Sequence, residues 1–162
     1  MGKIYNVESF NLDHTKVEAP FVRLAGVIRG EHGDVITKFD LRFTQPNVEY
    51  MEMAAVHALE HLLAVNIREF LPNVIDLSPM GCQTGFYLTV LNLEDGQTGE
   101  KLVHEALAKT LEVILTSKEV PATSAVQCGN AASHSLAGAQ KYAAQMLARR
   151  SKWNEIFAVE EE

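Results

Sequence analysis

The chain has 162 residues, a length at which a single domain with an ordinary apolar core is expected. Hydrophobic residues make up 47% and charged residues 22%, a composition that excludes a disordered chain. The sequence has 14 Lys and Arg against 21 Asp and Glu, which gives a formal net charge of −7 and no basic footprint for nucleic acid. We therefore expect no nucleic-acid partner, and we interpret the acidic residues 160–162 as a solvated tail.

The same composition bears on the cellular setting. No apolar run reaches the roughly 18 residues of a membrane span, and the first residues lack the apolar stretch of a signal peptide. The two cysteines, Cys82 and Cys128, are too few for a disulfide framework. We expect a cytoplasmic protein without membrane contact, whose two thiols are core residues, ligands or catalysts rather than a disulfide.

Apolar periodicity and turn residues predict four strands and three helices. The residues between the first two strands are typical of a hairpin turn. In the second strand Lys38, Asp40 and Arg42 alternate with apolar residues, so we expect them on its polar side. The order predicts one α+β domain over residues 1–162, an antiparallel sheet with helices packed on one face. The predicted strands are 22–28, 35–43, 74–77 and 86–93, and the predicted helices are 52–70, 98–117 and 135–151.

The first predicted helix carries the segment His57-Ala58-Leu59-Glu60-His61. Residues four apart on a helix are neighbours, about 5–6 Å between Cβ atoms, so the two imidazoles can hold one divalent metal. Glu60 lies on nearly the same side, where its carboxylate can reach a metal-bound water and shuttle protons. The pattern His-x-x-Glu-His is the reverse of His-Glu-x-x-His and is typical of inverted zinc peptidases.

Two imidazoles do not complete a catalytic metal site, which usually has three protein ligands and one open position. The third ligand could be Cys128, Cys82, another histidine or a downstream carboxylate, and spacing alone leaves the two cysteines interchangeable. Two imidazoles and one thiolate suit Zn²⁺, Fe²⁺ or Co²⁺. The histidines outside the motif are interpreted as structural or solvated, with His134 as the neighbour of a helix cap.

Several sequence blocks occur together in one order along the chain. On these blocks the chain resembles the LuxS family of S-ribosylhomocysteine lyases, the enzymes of autoinducer-2 synthesis, over nearly its whole length. One departure is Thr44, where some members have a third cysteine that is not catalytic. The blocks are Leu12-Asp13-His14, residues 38–43, residues 57–63, residues 76–85 and Gln127-Cys128-Gly129.

The resemblance implies a role for each candidate residue. The implied metal is Fe²⁺, replaceable by Zn²⁺ or Co²⁺, with one ion in each subunit. The resemblance also implies a homodimer whose two active sites form at the subunit interface with residues from both chains. The implied metal ligands are His57, His61 and Cys128, the implied general acid/base residues are Cys82 and Glu60, and the residues implied to contact, orient or lie along the substrate are Ser9, His14, Arg42, Asp76 and Ser78.

The implied reaction splits S-ribosyl-L-homocysteine into L-homocysteine and 4,5-dihydroxy-2,3-pentanedione, the precursor of autoinducer-2. A thioether is a poor leaving group at an unactivated carbon, so the sugar carbonyl first moves from C1 to C2 and then to C3 through enediolates. The thiolate then leaves by β-elimination from C5. A metal can stabilise each enediolate as a Lewis acid. Cys82 must be largely thiolate near neutral pH to act as a base, and Arg42 is the candidate cation that favours this form.

Two alternatives remain open on the residues themselves. An inverted-motif metallopeptidase would take Glu105 or Glu112 as its third ligand, but it gives no role to either cysteine. A structural metal-binding module would close a four-coordinate site with both histidines of the motif and both cysteines.

Overall fold

The computed structural model describes residues 5–93 and 96–158, so the acidic residues 160–162 lie outside the described part of the chain. Every predicted strand and helix is present, and its ends agree with the sequence prediction or differ from it by at most three residues. Short 3₁₀ turns precede the first strand and follow the last helix. The strands are β1 (Phe21–Arg29), β2 (Val35–Arg42), β3 (Val74–Pro79) and β4 (Gly85–Leu91), and the helices are α1 (Met53–Phe70), α2 (Gly96–Thr116) and α3 (Leu136–Ala148).

The four strands form one antiparallel sheet in the order β1-β2-β4-β3. The hairpins β1–β2 and β3–β4 therefore meet along β2 and β4, which are the two central strands. In the register of the sheet, Asp40 of β2 and Ser78 of β3 both lie opposite Tyr87 of β4, and Arg42 lies opposite Gly85. Side chains opposite one another point to the same face, so the polar residues of three strands share one side of the sheet.

The three helices cover the other face of the sheet and form the core with it. Phe39 and Leu41 of β2 point into this core together with Leu59 and Leu63 of α1, and all four side chains are completely buried. Each such side chain contributes about 1.5–3 kcal/mol of transfer free energy. The predicted α+β class, with helices on one face of an antiparallel sheet, is confirmed. None of the helices in the described residues is long and apolar enough to cross a membrane.

The polar side of β2 is not solvated at its end, which the alternating pattern did not indicate. Asp40 and Arg42 are 0% and 1% exposed. Arg23 of the neighbouring strand forms an ion pair with Asp40, and the guanidinium of Arg42 lies 5.7 Å from the centre of the Phe21 ring. The alternation of polar and apolar residues identified the two faces of β2 correctly. It could not show that Arg23 and Phe21 of the neighbouring strand cover the polar face.

Candidate active site

Two histidines of α1 and two residues of the loop between α2 and α3 form a candidate metal group. His57, His61, Cys128 and His134 each offer one ligand atom, and these four atoms lie within 4.8 Å of one another. Cys128 Sγ is 3.4 Å from His57 Nε2 and 3.6 Å from His134 Nε2. The His134 ring stacks on the His57 ring, with centroids 3.9 Å apart. The predicted ligands His57, His61 and Cys128 are therefore brought together, with His134 beside them.

The loop carrying Cys128 and His134 is held against the first turns of α1. The Ser135 N–H donates to the Ala54 carbonyl at 2.9 Å, and the Ser135 hydroxyl caps α3 by accepting the Gly138 N–H at 3.0 Å. A Cβ added at Gly138 would lie 2.7 Å from the Cβ of Ala55, so the absence of a side chain lets the start of α3 lie this close to α1. The residues just before α3, His134 among them, are thereby placed beside His57.

The same loop selects the tautomer of the two α1 imidazoles. His57 Nδ1 is 2.8 Å from the Ser133 carbonyl oxygen, and His61 Nδ1 is 2.8 Å from the Pro121 carbonyl oxygen. A carbonyl only accepts hydrogen bonds, so each neutral ring carries its proton on Nδ1 and leaves the Nε2 lone pair free. A carbonyl partner on the second nitrogen is the usual support of a metal-binding histidine. The loop therefore supplies one candidate thiol ligand and the carbonyl partners of both α1 imidazoles.

His134 is the member of the group that the sequence interpretation missed. Its Nδ1 atom is buried and has no hydrogen-bond partner among the described residues. Burial, together with the nearby His57 and His61 rings, lowers the pKa of His134. The one available signal was that His134 follows Cys128 in the same loop, and periodicity says nothing about how a loop is folded.

Glu60 lies on α1 immediately before His61 and is partly buried. Its carboxylate forms no hydrogen bond or ion pair within the described residues. The acid/base role of Glu60 stays a prediction.

A surface cavity of about 420 Å³ gathers most of the other predicted residues. It brings together three separate parts of the chain: Ser9 and His14 before β1, Arg42 at the end of β2, and Cys82 after β3. Asp76 and Ser78 do not line it: they lie on β3 just before the cavity, where the Ser78 hydroxyl donates to Asp76 Oδ2 at 2.7 Å. No member of the metal group lines this cavity either. Its lining residues are Ser9, Phe10, His14, Arg42, Pro79, Met80, Gly81, Cys82 and Tyr87.

The polar groups of this cavity are held by local hydrogen bonds. His14 Nδ1 donates to the Leu12 carbonyl at 2.8 Å, which leaves Nε2 free. The Asp13 carboxylate accepts from the Thr15 N–H and hydroxyl, so its pKa is lowered by Thr15 and it does not bond to His14. Burial raises the pKa of Tyr87 above the ordinary value of a phenol, which is already protonated at neutral pH.

Arg42 is connected to Cys82 through Thr84, a residue to which the sequence interpretation gave no role. Its Nε and Nη2 donate to the Asp40 carboxylate at 3.0 and 2.7 Å, and its Nη1 donates to the Thr84 hydroxyl oxygen at 3.1 Å. That oxygen is 3.0 Å from Cys82 Sγ. The buried guanidinium and the thiol are therefore separated by one hydroxyl group.

The fold and these two groups of residues define a small α+β protein with a candidate metal centre on a His-x-x-Glu-His helix. The family model described as S-Ribosylhomocysteinase (LuxS) matches residues 7–157, and the chain belongs to the LuxS family. The resemblance seen in the sequence is thereby confirmed.

The chain is also similar to curated relatives along almost its whole length. It is 57% identical to the S-ribosylhomocysteine lyase of Listeria monocytogenes serotype 4a over 157 residues, which cover 97% of this chain and 99% of the relative. It is 56% identical to that of Chromohalobacter salexigens over 156 residues, covering 96% and 98%. The S-ribosylhomocysteine lyase of Staphylococcus haemolyticus is 57% identical over 152 residues, covering 94% and 95%.

Proposed function

We propose that the protein is an S-ribosylhomocysteine lyase, a carbon–sulfur lyase that forms L-homocysteine and 4,5-dihydroxy-2,3-pentanedione. The observation that carries this proposal is the pairing of the metal group, which has three imidazoles and one thiol, with a separate cavity that holds Cys82, in a chain of the LuxS family. We place the enzyme in the cytoplasm, because both of its thiols must stay reduced to act as ligand and base.

His57, His61 and Cys128 are the residues that would hold the metal. Their donor set suits Fe²⁺, Zn²⁺ or Co²⁺, and the carbonyl partners of both imidazoles leave the correct nitrogen free. We propose Fe²⁺ as the native ion, with Zn²⁺ or Co²⁺ able to replace it. A bound ion supplies Lewis-acid stabilisation of the negative charge that develops on the sugar oxygens.

Cys82 and Glu60 divide the proton transfers. Each carbonyl shift takes a proton from one carbon and returns a proton to its neighbour, which requires a base that becomes an acid within the same step. In the last step a proton leaves C4, its electron pair forms the C4–C5 double bond, and the C5–S bond breaks. The departing homocysteine thiolate then takes up a proton, and the enol product becomes the dione. Ser9, His14 and Arg42 hold the substrate in the Cys82 cavity, with Asp76 and Ser78 beside it.

We propose that the active site is completed in a homodimer. No member of the metal group lines the Cys82 cavity of the same chain. In a dimer, the metal group of one chain would face the Cys82 cavity of the other, which would bring the two halves of the site together. Apolar side chains are exposed next to both: Phe10 lines the cavity at 83% exposure, and Val126 lies two residues before Cys128 at 96%. Exposed apolar residues at a functional site are typical of an interface.

Both alternatives fit the arrangement less well. A structural module with both cysteines as ligands would place Cys82 in the metal group, but Cys82 lines the surface cavity, which no member of the metal group lines. A metallopeptidase would need Glu105 or Glu112 as a third ligand, and the metal group contains neither.

The test is an anaerobic assay of the metal-loaded protein on S-ribosylhomocysteine, in which released thiol is measured with a disulfide reagent. Wild type is expected to release thiol and Cys82→Ala is expected to release none above background. No release from wild type fully loaded with Fe²⁺ or Co²⁺ would overturn the proposal, and peptide cleavage that survives Cys128→Ser would favour the peptidase.

A further inference from the structure

Thr84 is a buried residue that contacts both the Arg42 guanidinium and the Cys82 sulfur, and neither the sequence blocks nor the proposed chemistry gives it a role. Its side chain is 1% exposed. Its carbonyl accepts the N–H groups of Phe43 and Thr44 at 2.9 and 3.1 Å, which fastens Thr84 to the end of β2. The hydroxyl is therefore held in a fixed position by the backbone.

Close packing of the two central strands keeps Thr84 in this position. A Cβ added at Gly85 would lie 2.3 Å from the carbonyl oxygen of Leu41, so only glycine lets β4 begin this close to β2. Gly85 is the register partner of Arg42, which places the preceding residue, Thr84, beside the guanidinium.

The direction of the hydrogen bonds follows from counting donors. A guanidinium only donates, so the Thr84 oxygen accepts from Arg42 Nη1 at 3.1 Å. The hydroxyl has a single proton, and Cys82 Sγ, at 3.0 Å, is the other polar atom in contact with that oxygen. If Cys82 were a thiol donating to Thr84, the buried hydroxyl proton would have no acceptor, which is costly. The hydroxyl therefore donates to the sulfur, and a thiolate is a stronger acceptor of this proton than a neutral thiol, whose sulfur accepts only weakly.

Arg42 is itself held by a chain of alternating charges. Its other nitrogens donate to Asp40, which is fully buried and also pairs with Arg23 of β1. Arg23 in turn pairs with Glu8. The chain thus alternates two carboxylates with two guanidinium groups and has no net charge. A negative charge at Cys82, next to the Arg42 end, continues this alternation of sign.

We propose that Thr84 is a positioning residue that favours the thiolate form of Cys82 and holds its sulfur in the cavity. Arg42 draws electron density from the Thr84 oxygen, which strengthens the hydrogen bond that the hydroxyl donates to the sulfur. Arg42 thereby acts on Cys82 through the hydroxyl group of Thr84. The inference rests on the proposed function only in that it concerns the residue proposed as acid/base.

The experiment compares Thr84→Val, which removes the hydroxyl at nearly constant shape, with Thr84→Ser, which keeps it. Thr44→Val is the matched control, because Thr44 is also 1% exposed at the same end of β2 and its hydroxyl has no partner among the described residues. The rate of Cys82 alkylation by iodoacetamide is measured against pH in the metal-loaded proteins, with Cys82→Ala as the blank. Cys82 is exposed and accessible to the reagent.

In Thr84→Val the alkylation curve is expected to move to higher pH by about one unit, since loss of a hydrogen bond to a charged group changes such an equilibrium about tenfold. The acidic limb of kcat is expected to move with it. Thr84→Ser and Thr44→Val are expected to match wild type. An unmoved curve in Thr84→Val would overturn the proposal, and if that variant does not fold, Thr84→Ala against Thr84→Ser makes the same comparison. Alkylation does not depend on turnover, so an inactive wild type would overturn the lyase and leave this test intact.

Discussion

His57 and Ser133 are 76 residues apart in the chain, and the Nδ1 atom of one lies 2.8 Å from the carbonyl oxygen of the other. This hydrogen bond orients the imidazole, selects its tautomer and attaches the loop between α2 and α3 to α1. Because the same loop carries Cys128, the hydrogen bond that orients one candidate ligand also places another. The metal group is therefore formed by the docking of a loop on a helix.

Substitutions at the metal group and at the acid/base pair are expected to have different effects. His57→Ala, His61→Ala and Cys128→Ala should lose bound metal, because each removes one of three ligands. Cys82→Ala and Glu60→Ala should keep the metal and lose turnover by at least about 10²-fold, the usual contribution of a general acid or base. Metal content and thiol release are measured on the same samples, with His32→Ala as the control. Metal-free Cys82→Ala protein would contradict this division of roles.

Asp40→Asn is expected to destabilise the fold by about 3 kcal/mol. Removing the charge leaves the buried guanidinium of Arg42 without its partner, and breaking a buried ion pair on one side costs about 3–5 kcal/mol. Denaturant unfolding measures the change. The matched control is Asp76→Asn, because the Asp76 side chain on β3 is exposed. This substitution should alter the unfolding free energy by less than about 0.5 kcal/mol. Equal effects at the two positions would show that the Asp40–Arg42 pair is not the cause.

Gly85→Ala is expected to cost about 1–3 kcal/mol of stability or more, since its Cβ would meet the Leu41 carbonyl oxygen at 2.3 Å and two central strands would have to separate. Gly81→Ala is the control in the same loop region, because nothing lies within 4 Å of a Cβ there. Thermal unfolding of both variants provides the comparison. A Gly85→Ala protein as stable as Gly81→Ala would mean that the strands can part without cost.

His104 is expected to make stability depend on pH. Burial, and secondarily the charge of Arg150, lowers its pKa in the folded protein, and the other charged groups around it are Glu100, Lys101 and Glu105. Below the unfolded pKa of about 6.5 the unfolded chain therefore binds a proton that the folded protein does not. Stability should fall as the pH drops from about 6.5 through the lowered pKa, and the loss should be smaller in His104→Gln. Unfolding free energies across this range are compared, with exposed His32→Gln as the control; equal slopes in wild type and His104→Gln would refute the expectation.

The sequence by itself determined the strands, the helices and the two faces of the sheet. Apolar residues recur with the period of a strand in β2 and with that of a helix in α1, and these periods are local properties. The spacing of His57 and His61 predicted a metal group for the same reason, because a helix turn places them side by side. Residues in one element could be related because the geometry of that element is fixed.

Only the tertiary structure decided which distant groups meet. It placed Cys128 and His134 beside α1, and it placed Cys82 in a surface cavity that the metal group does not line. These residues lie in loops, and a loop follows the path that its hydrogen bonds and close contacts allow. It buried Asp40 and Arg42 on the polar side of β2, where Arg23 and Phe21 cover them. It connected Arg42 to Cys82 through Thr84. Contacts of this kind depend on packing between elements, and no repeat along the chain encodes them.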